Sequence, residues 1–132
     1  MKVEINSPFE DEKKQIGIDF DGVIHRCSKG YHDGTIYDEP VEGSLDAIKQ
    51  LSKKYTIIVY SAKARSDRPL VNNKTGIELI WEWLGKYGFK EYIQDVTAEK
   101  PRAFCYIDDR AIRFIDWGTT CQILDDYSIV SE

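Results

Sequence analysis

The sequence predicts an α/β fold, a parallel sheet of about five strands flanked by helices. Two observations predict it. Short apolar runs alternate along the chain with stretches of helical periodicity. Three of those runs, Ile16–Phe20 (IGIDF), Thr56–Tyr60 (TIIVY) and Ala103–Ile107 (AFCYI), are almost continuously apolar instead of alternating. Strands covered by helices on both faces read that way.

Taken in order, residues 1–14 are a polar lead-in, partly disordered or adding an edge strand through Lys2–Ile5. Residues 15–132 then form a single domain, a size that suits one core. The first strand is Gln15–Phe20. In the segment Gly22–Pro40, Asp33-Gly34 lies between Tyr31-His32 and Thr35-Ile36. That is a two-residue hairpin signal, so a small β-hairpin flap is expected after the first strand. A helix over Gly43–Lys54 places Leu45, Ile48, Leu51 and Tyr55 on one stripe, and the strand Thr56–Tyr60 follows. The next helix carries Ile77, Ile80, Trp81, Leu84 and Tyr87 at helical spacing. Thr75 and Glu78 form a capping box at its start, and Gly88 stops it. Trp83 falls off this stripe and reads as exposed, a possible contact surface; Trp81 and Trp117 need no special role. Strands at Tyr92–Val96 and Ala103–Ile107, a short helix at Ala111–Asp116 and a last strand at Cys121–Leu124 complete the expectation.

Composition narrows the function classes. A net charge of -5 offers no general attraction to nucleic acid or to an anionic membrane. No apolar stretch reaches membrane-spanning length, and the start of the chain lacks an apolar signal region. Cys27, Cys105 and Cys121 are an odd, widely spaced set without a C-x-x-C pair, which argues against a disulfide framework and a zinc site. Cys105 and Cys121 sit in apolar runs and read as reduced core thiols, and a cytoplasmic location is expected.

Four polar groups stand where predicted strands end, the place where open α/β sheets bind ligands. Asp19 and Asp21 end the first strand two residues apart, so on an extended chain their carboxylates point the same way. Paired like charges there need a cation or hydrogen bonds to offset them, although a helix cap or an Asp-Gly turn at Gly22 is the alternative reading. Ser61-Ala62 ends the second strand, and a hydroxyl with an adjacent N–H can hold a phosphoryl oxygen; a plain turn is the alternative. Lys100 precedes the Ala103 strand, as a phosphate-neutralising group or as solvated surface. Asp108-Asp109 follows that strand, as hard oxygen ligands suited to magnesium or as loop carboxylates before a helix.

In this order, Asp-x-Asp, Ser, Lys, Asp-Asp, the four groups resemble the signature motifs of the haloacid dehalogenase superfamily. IGIDFDGVI at Ile16–Ile24 is the most specific part, and YIDDR at Tyr106–Arg110 the next. The resemblance implies a Rossmann-like domain and a magnesium-dependent phosphomonoester hydrolase. It makes Asp19 the nucleophile that forms an aspartyl-phosphate and Asp21 the general acid/base, whose backbone carbonyl joins the metal shell. Ser61 and Ala62 match the phosphoryl-binding position, and Lys100 the lysine that steadies Asp19 and the phosphate. Asp108 matches a direct magnesium ligand, and Asp109 a second ligand or a water-holding partner. Neither Gly22–Pro40 nor Ser61–Lys100 is long enough for the separate cap domain that many members carry. Such an open site implies a large substrate, or a second subunit of a homo-oligomer as lid.

The loop after Ser61 concentrates Lys63, Arg65 and Arg68 beside the expected phosphate site, as substrate contacts or as solvated surface. His25 and His32 lie in the flap, as its surface or as substrate contacts, with surface the favoured reading. The expected substrate is a phosphorylated small molecule or a nucleic-acid end. A polynucleotide 3′-end phosphatase, a nucleotidase and a catalytically silent binding module of the same fold are the alternatives. A response-regulator receiver shares the residue types, but its acidic pair comes first and its Lys-Pro last. Here Lys100-Pro101 precedes Asp108-Asp109, and that order rejects it.

Overall fold

Four strands, β1 (Gln15–Asp19), β2 (Thr56–Tyr60), β3 (Asp95–Thr97) and β4 (Cys105–Ile107), form one all-parallel sheet in the order β3-β2-β1-β4 in the computed structural model of this chain. The structure describes residues 14–127. The helices are α1 (Ser44–Leu51), α2 (Gly76–Lys86) and α3 (Trp117–Asp126). Among the described residues no helix is long and apolar enough to cross a membrane. The expected edge strand at Lys2–Ile5 lies outside the described residues.

Two of the three apolar runs do what their continuity implies, while the third is the edge strand β4, whose Tyr106 and Ile107 are exposed. Ile16 and Ile18 of β1 and Ile57, Ile58 and Val59 of β2 are all buried, so both central strands are covered on both faces. Both meet the buried helix residues Ile48 of α1 and Ile80, Trp83 and Leu84 of α2 in one core. The α2 capping box is present: Thr75 Oγ1 accepts the Glu78 N–H and the Glu78 carboxylate accepts the Thr75 N–H. The helix gives way to Gly88, whose φ of 85° is the left-handed conformation that ends helices.

Several expectations are corrected. The buried stripe of α2 is Ile80, Trp83, Leu84 rather than one through Ile77, which is exposed. Trp83 is therefore a core residue, only 6% exposed, and no contact surface. Its ring stacks on Phe89 and meets Phe20 edge-on, and its Nε1 donates to the Asp38 carbonyl at 2.9 Å. The third strand begins later than Tyr92, because Lys90–Tyr92 make a 3-10 turn first.

Cys121–Leu124 is not a fifth strand but part of α3, and the segment at Ala111–Asp116 is not helical. The helix starts one element later because Asp116 is its cap, its carboxylate accepting the Thr119 N–H at 2.7 Å. A short apolar run does not distinguish strand from helix; the cap does. α3 has no buried residue, so Cys121 is exposed and is no core thiol, whereas Cys105 on β4 is half-buried and packs against the core. All three cysteines are free.

The flap contains no hairpin among the described residues. Asp33-Gly34 does turn, but Asp33 Oδ1 takes the Thr35 N–H and hydroxyl for itself. The two ends of the flap pair only at one antiparallel bridge, His25 with Pro40, and beyond it side chains meet the backbone: Tyr37 Oη donates to the Gly30 carbonyl, Arg68 to the Gly34 carbonyl, and Ser28 N–H donates to Asp38. Neither the 22–40 segment nor the 61–100 segment holds an inserted domain.

Candidate active site

The site begins with Phe20. Its side chain is fully buried, its N–H donates to the Tyr60 carbonyl, and its own carbonyl accepts the N–H of Ile24 and His25. The chain thus swings off β1 at a fixed point, with Asp19 on one side of the anchor and Asp21 on the other. Gly22 takes a φ of 86°, and a methyl group there would overlap the Asp109 carboxylate. The turn after β1 and the loop after β4 therefore pack carboxylate against bare backbone.

The two aspartates enter different surroundings. Asp19 faces Asp108 and Asp109, their nearest carboxylate oxygens all within 4.8 Å of one another. Burial, then repulsion from Asp108 and Asp109, pushes the Asp19 carboxyl up to about 7. Asp108 is the anchored member: its Oδ1 accepts the Arg110 N–H at 2.7 Å and its Oδ2 the Tyr60 hydroxyl at 3.0 Å. Those bonds, the amide first, hold its carboxyl below the ordinary range. Tyr60 is pushed the other way by burial and by Asp108, so it keeps the proton it donates.

The Asp21 carboxylate is outside that cluster and groups with His25 and Cys27. Its Oδ1 meets His25 Nδ1 at 2.8 Å and Lys63 Nζ at 3.1 Å. Burial raises this carboxyl, but the His25 hydrogen bond and the Lys63 charge outweigh it, and Asp21 lies below its ordinary range. His25 is thus fully buried and not at the flap surface, its ring stacked on Phe20. His32 does stay exposed.

The other expected groups fall at varied distances from this centre. Ser61 is buried at the end of β2, its N–H donating to the Thr97 carbonyl and its hydroxyl accepting the Lys63 N–H. Ala62 is exposed beside it and opens a 3-10 turn, so its N–H has no acceptor inside that turn. Both line a cleft of ≈ 300 Å³ with Asp19, Asp21, Gly22 and Asp109, closed on the flap side by Tyr31. Lys100 is exposed and within ion-pair distance of neither Asp19 nor Asp108. Its Nζ lies 4.5 Å from the centre of the Tyr106 ring, and its charge reaches Asp108 only at longer range.

The basic loop splits up. Lys63 is only 1% exposed and turned inward onto Asp21. Arg65 pairs with Asp67, and Arg68 donates to the carbonyls of Lys63 and Gly34. No family model, curated protein or solved structure matches this chain.

Sequence reasoning missed Tyr60, and it did not connect His25 and Lys63 with Asp21. The signals were faint: a tyrosine as the last strand residue, a histidine four positions after Asp21, a lysine two positions after Ser61. Only the turn at Gly22 and the 3-10 turn after Ser61 bring His25 and Lys63 to one oxygen of Asp21, and only the pairing of β1 with both β2 and β4 brings Tyr60 to Asp108.

Proposed function

We propose that this chain is a magnesium-dependent phosphomonoester hydrolase of haloacid dehalogenase type, working through an aspartyl-phosphate on Asp19. The observation that carries the proposal is the meeting of Asp19, Asp108 and Asp109 at the carboxyl ends of β1 and β4, across one cleft from Ser61 and Ala62. Three carboxylates so close, one of them pushed up to about 7 by burial and then by the other two, fit a hard divalent cation. Asp19, Asp108 and Asp109 would hold it, with the Asp21 backbone carbonyl, and it would supply positive charge against carboxylate and phosphate.

The chain's own residues account for the bond changes. An Asp19 oxygen attacks phosphorus as the bond to the leaving oxygen breaks, and Asp21, which has to take up a proton before this step, gives that proton to the leaving oxygen. Asp21 then takes a proton from water, whose oxygen attacks phosphorus and releases inorganic phosphate and the Asp19 carboxylate. Ser61 and the Ala62 N–H donate to the phosphoryl oxygens, and Lys100 adds charge from the rim.

A small phosphorylated metabolite is favoured over a nucleic-acid end. The net charge is -5, Arg65 is spent on Asp67 and Lys63 on Asp21. A cytoplasmic location belongs to the same proposal, in keeping with three free thiols.

The test is phosphate release from a panel of phosphorylated metabolites, nucleotides and 3′-phosphorylated oligonucleotides, with and without magnesium, beside Asp19→Asn. Turnover that needs magnesium and disappears in Asp19→Asn is expected. Silence across the panel, with no magnesium binding, overturns the proposal in favour of a binding module.

A further inference from the structure

Lys63 is an expensive residue to bury, because an ammonium taken from water must be repaid by close partners. At 1% exposure it has three contacts that each reach a different part of the site. Its Nζ donates to Asp21 Oδ1 at 3.1 Å and to the flap carbonyl of Thr35 at 3.0 Å, and its backbone N–H donates to Ser61 Oγ at 3.1 Å. One residue thus ties together the strand-end hydroxyl, the flap and the second aspartate.

His25 reaches the same oxygen from the other side. Its Nε2 accepts the Asp38 N–H at 3.0 Å, which leaves the ring proton on Nδ1 to be donated to Asp21 Oδ1 at 2.8 Å. The ring cannot swing: it stacks on Phe20 and stands edge-on to Trp83 and Tyr37. Asp38 is itself held, its carbonyl taking the Trp83 Nε1–H.

On the hydrolase reading proposed above, we infer that Lys63 and His25 are positioning residues that pin Asp21 by Oδ1, leaving Oδ2 to exchange the proton with the leaving oxygen. Both donors fall on Oδ1 and neither on Oδ2. A carboxylate free to rotate would present either oxygen in many orientations; this one is fixed through Oδ1, lies beside the Cys27 thiol and lines the cleft. Lys63 and His25 touch no reacting atom themselves.

Proton donation matters only when the leaving group needs it. A para-nitrophenolate departs without a proton, whereas an alkoxide does not. The experiment measures kcat/KM, which covers the steps through departure of the leaving group, on para-nitrophenyl phosphate and on glycerol phosphate, for the full chain and for Lys63→Met, Lys63→Gln and His25→Leu. Thermal unfolding identifies the variants that fold, and Lys63→Gln is the mildest of the three. Positioning predicts a loss of about a hundredfold on the alkyl phosphate with little change, within about threefold, on the aryl phosphate. Equal losses on both substrates show a merely structural role and overturn the inference while the hydrolase stands. Wild-type protein that turns over neither substrate defeats the hydrolase reading, and the inference falls with it.

Discussion

Replacing Asp19 by Asn removes a charge that the metal-free fold holds against its own electrostatics. Asp19 rises from an ordinary 3.8 to about 7, through burial first and then through Asp108 and Asp109. Between about pH 4 and pH 7 the folded chain therefore binds a proton that the unfolded chain has released. The sign follows: this contribution to stability is complete below about pH 4 and is lost as pH rises through 7. A shift of about three pH units corresponds to about 4 kcal/mol, and solvent screening of a half-exposed group leaves about 2 kcal/mol. At pH 8 without metal, Asp19→Asn is expected to be more stable than wild type by that amount, about 6 °C in Tm for a chain of this length. At pH 4 the two should melt together. Magnesium should raise the wild-type Tm more at pH 8 than at pH 5, where protons compete with it, and should raise that of Asp19→Asn much less. Thermal melts with chelator or magnesium across this range provide the assay. An Asp19→Asn protein that melts at or below wild type at pH 8 without metal would refute the reasoning, because Asp19 would then not be held against repulsion.

Two further outcomes follow from the packing. Gly22→Ala forces a side chain into a φ of 86° and onto the Asp109 carboxylate, so it should cost about 1–2 kcal/mol in a urea titration and more than tenfold in magnesium-dependent turnover. Trp83→Phe keeps the aromatic packing on Phe20 and Phe89 but leaves the Asp38 carbonyl without its donor; a loss of about 1 kcal/mol is expected in the same titration.

The elements that were legible share a cause. β1 and β2 could be read because a strand buried on both faces must be apolar throughout, and α2 because its cap, stripe and terminal glycine are all local chemistry. Asp19, Asp108 and Asp109 were legible for a related reason: carboxylates at the ends of apolar strands stand out against their surroundings. The α3 region was misread because Cys121–Leu124 is apolar enough for either structure, and the deciding Asp116 cap was counted as the end of a helix. The flap was misread because Asp33-Gly34 signals a turn without specifying whether strands pair beside it.

The α/β class, the two central strands, the capped helix α2 and the acidic residues at strand ends follow from the sequence by itself, because each is written in local patterns along the chain. The division of labour between the aspartates does not. Asp19 and Asp21 are two residues apart and chemically identical, yet one is pushed up by Asp108 and Asp109 while the other is drawn down by His25 and Lys63. Tertiary structure alone decided this: Asp108 and Lys63 come from distant parts of the chain, and a carboxylate's proton affinity is set by whichever charges and donors the fold brings within a few ångströms.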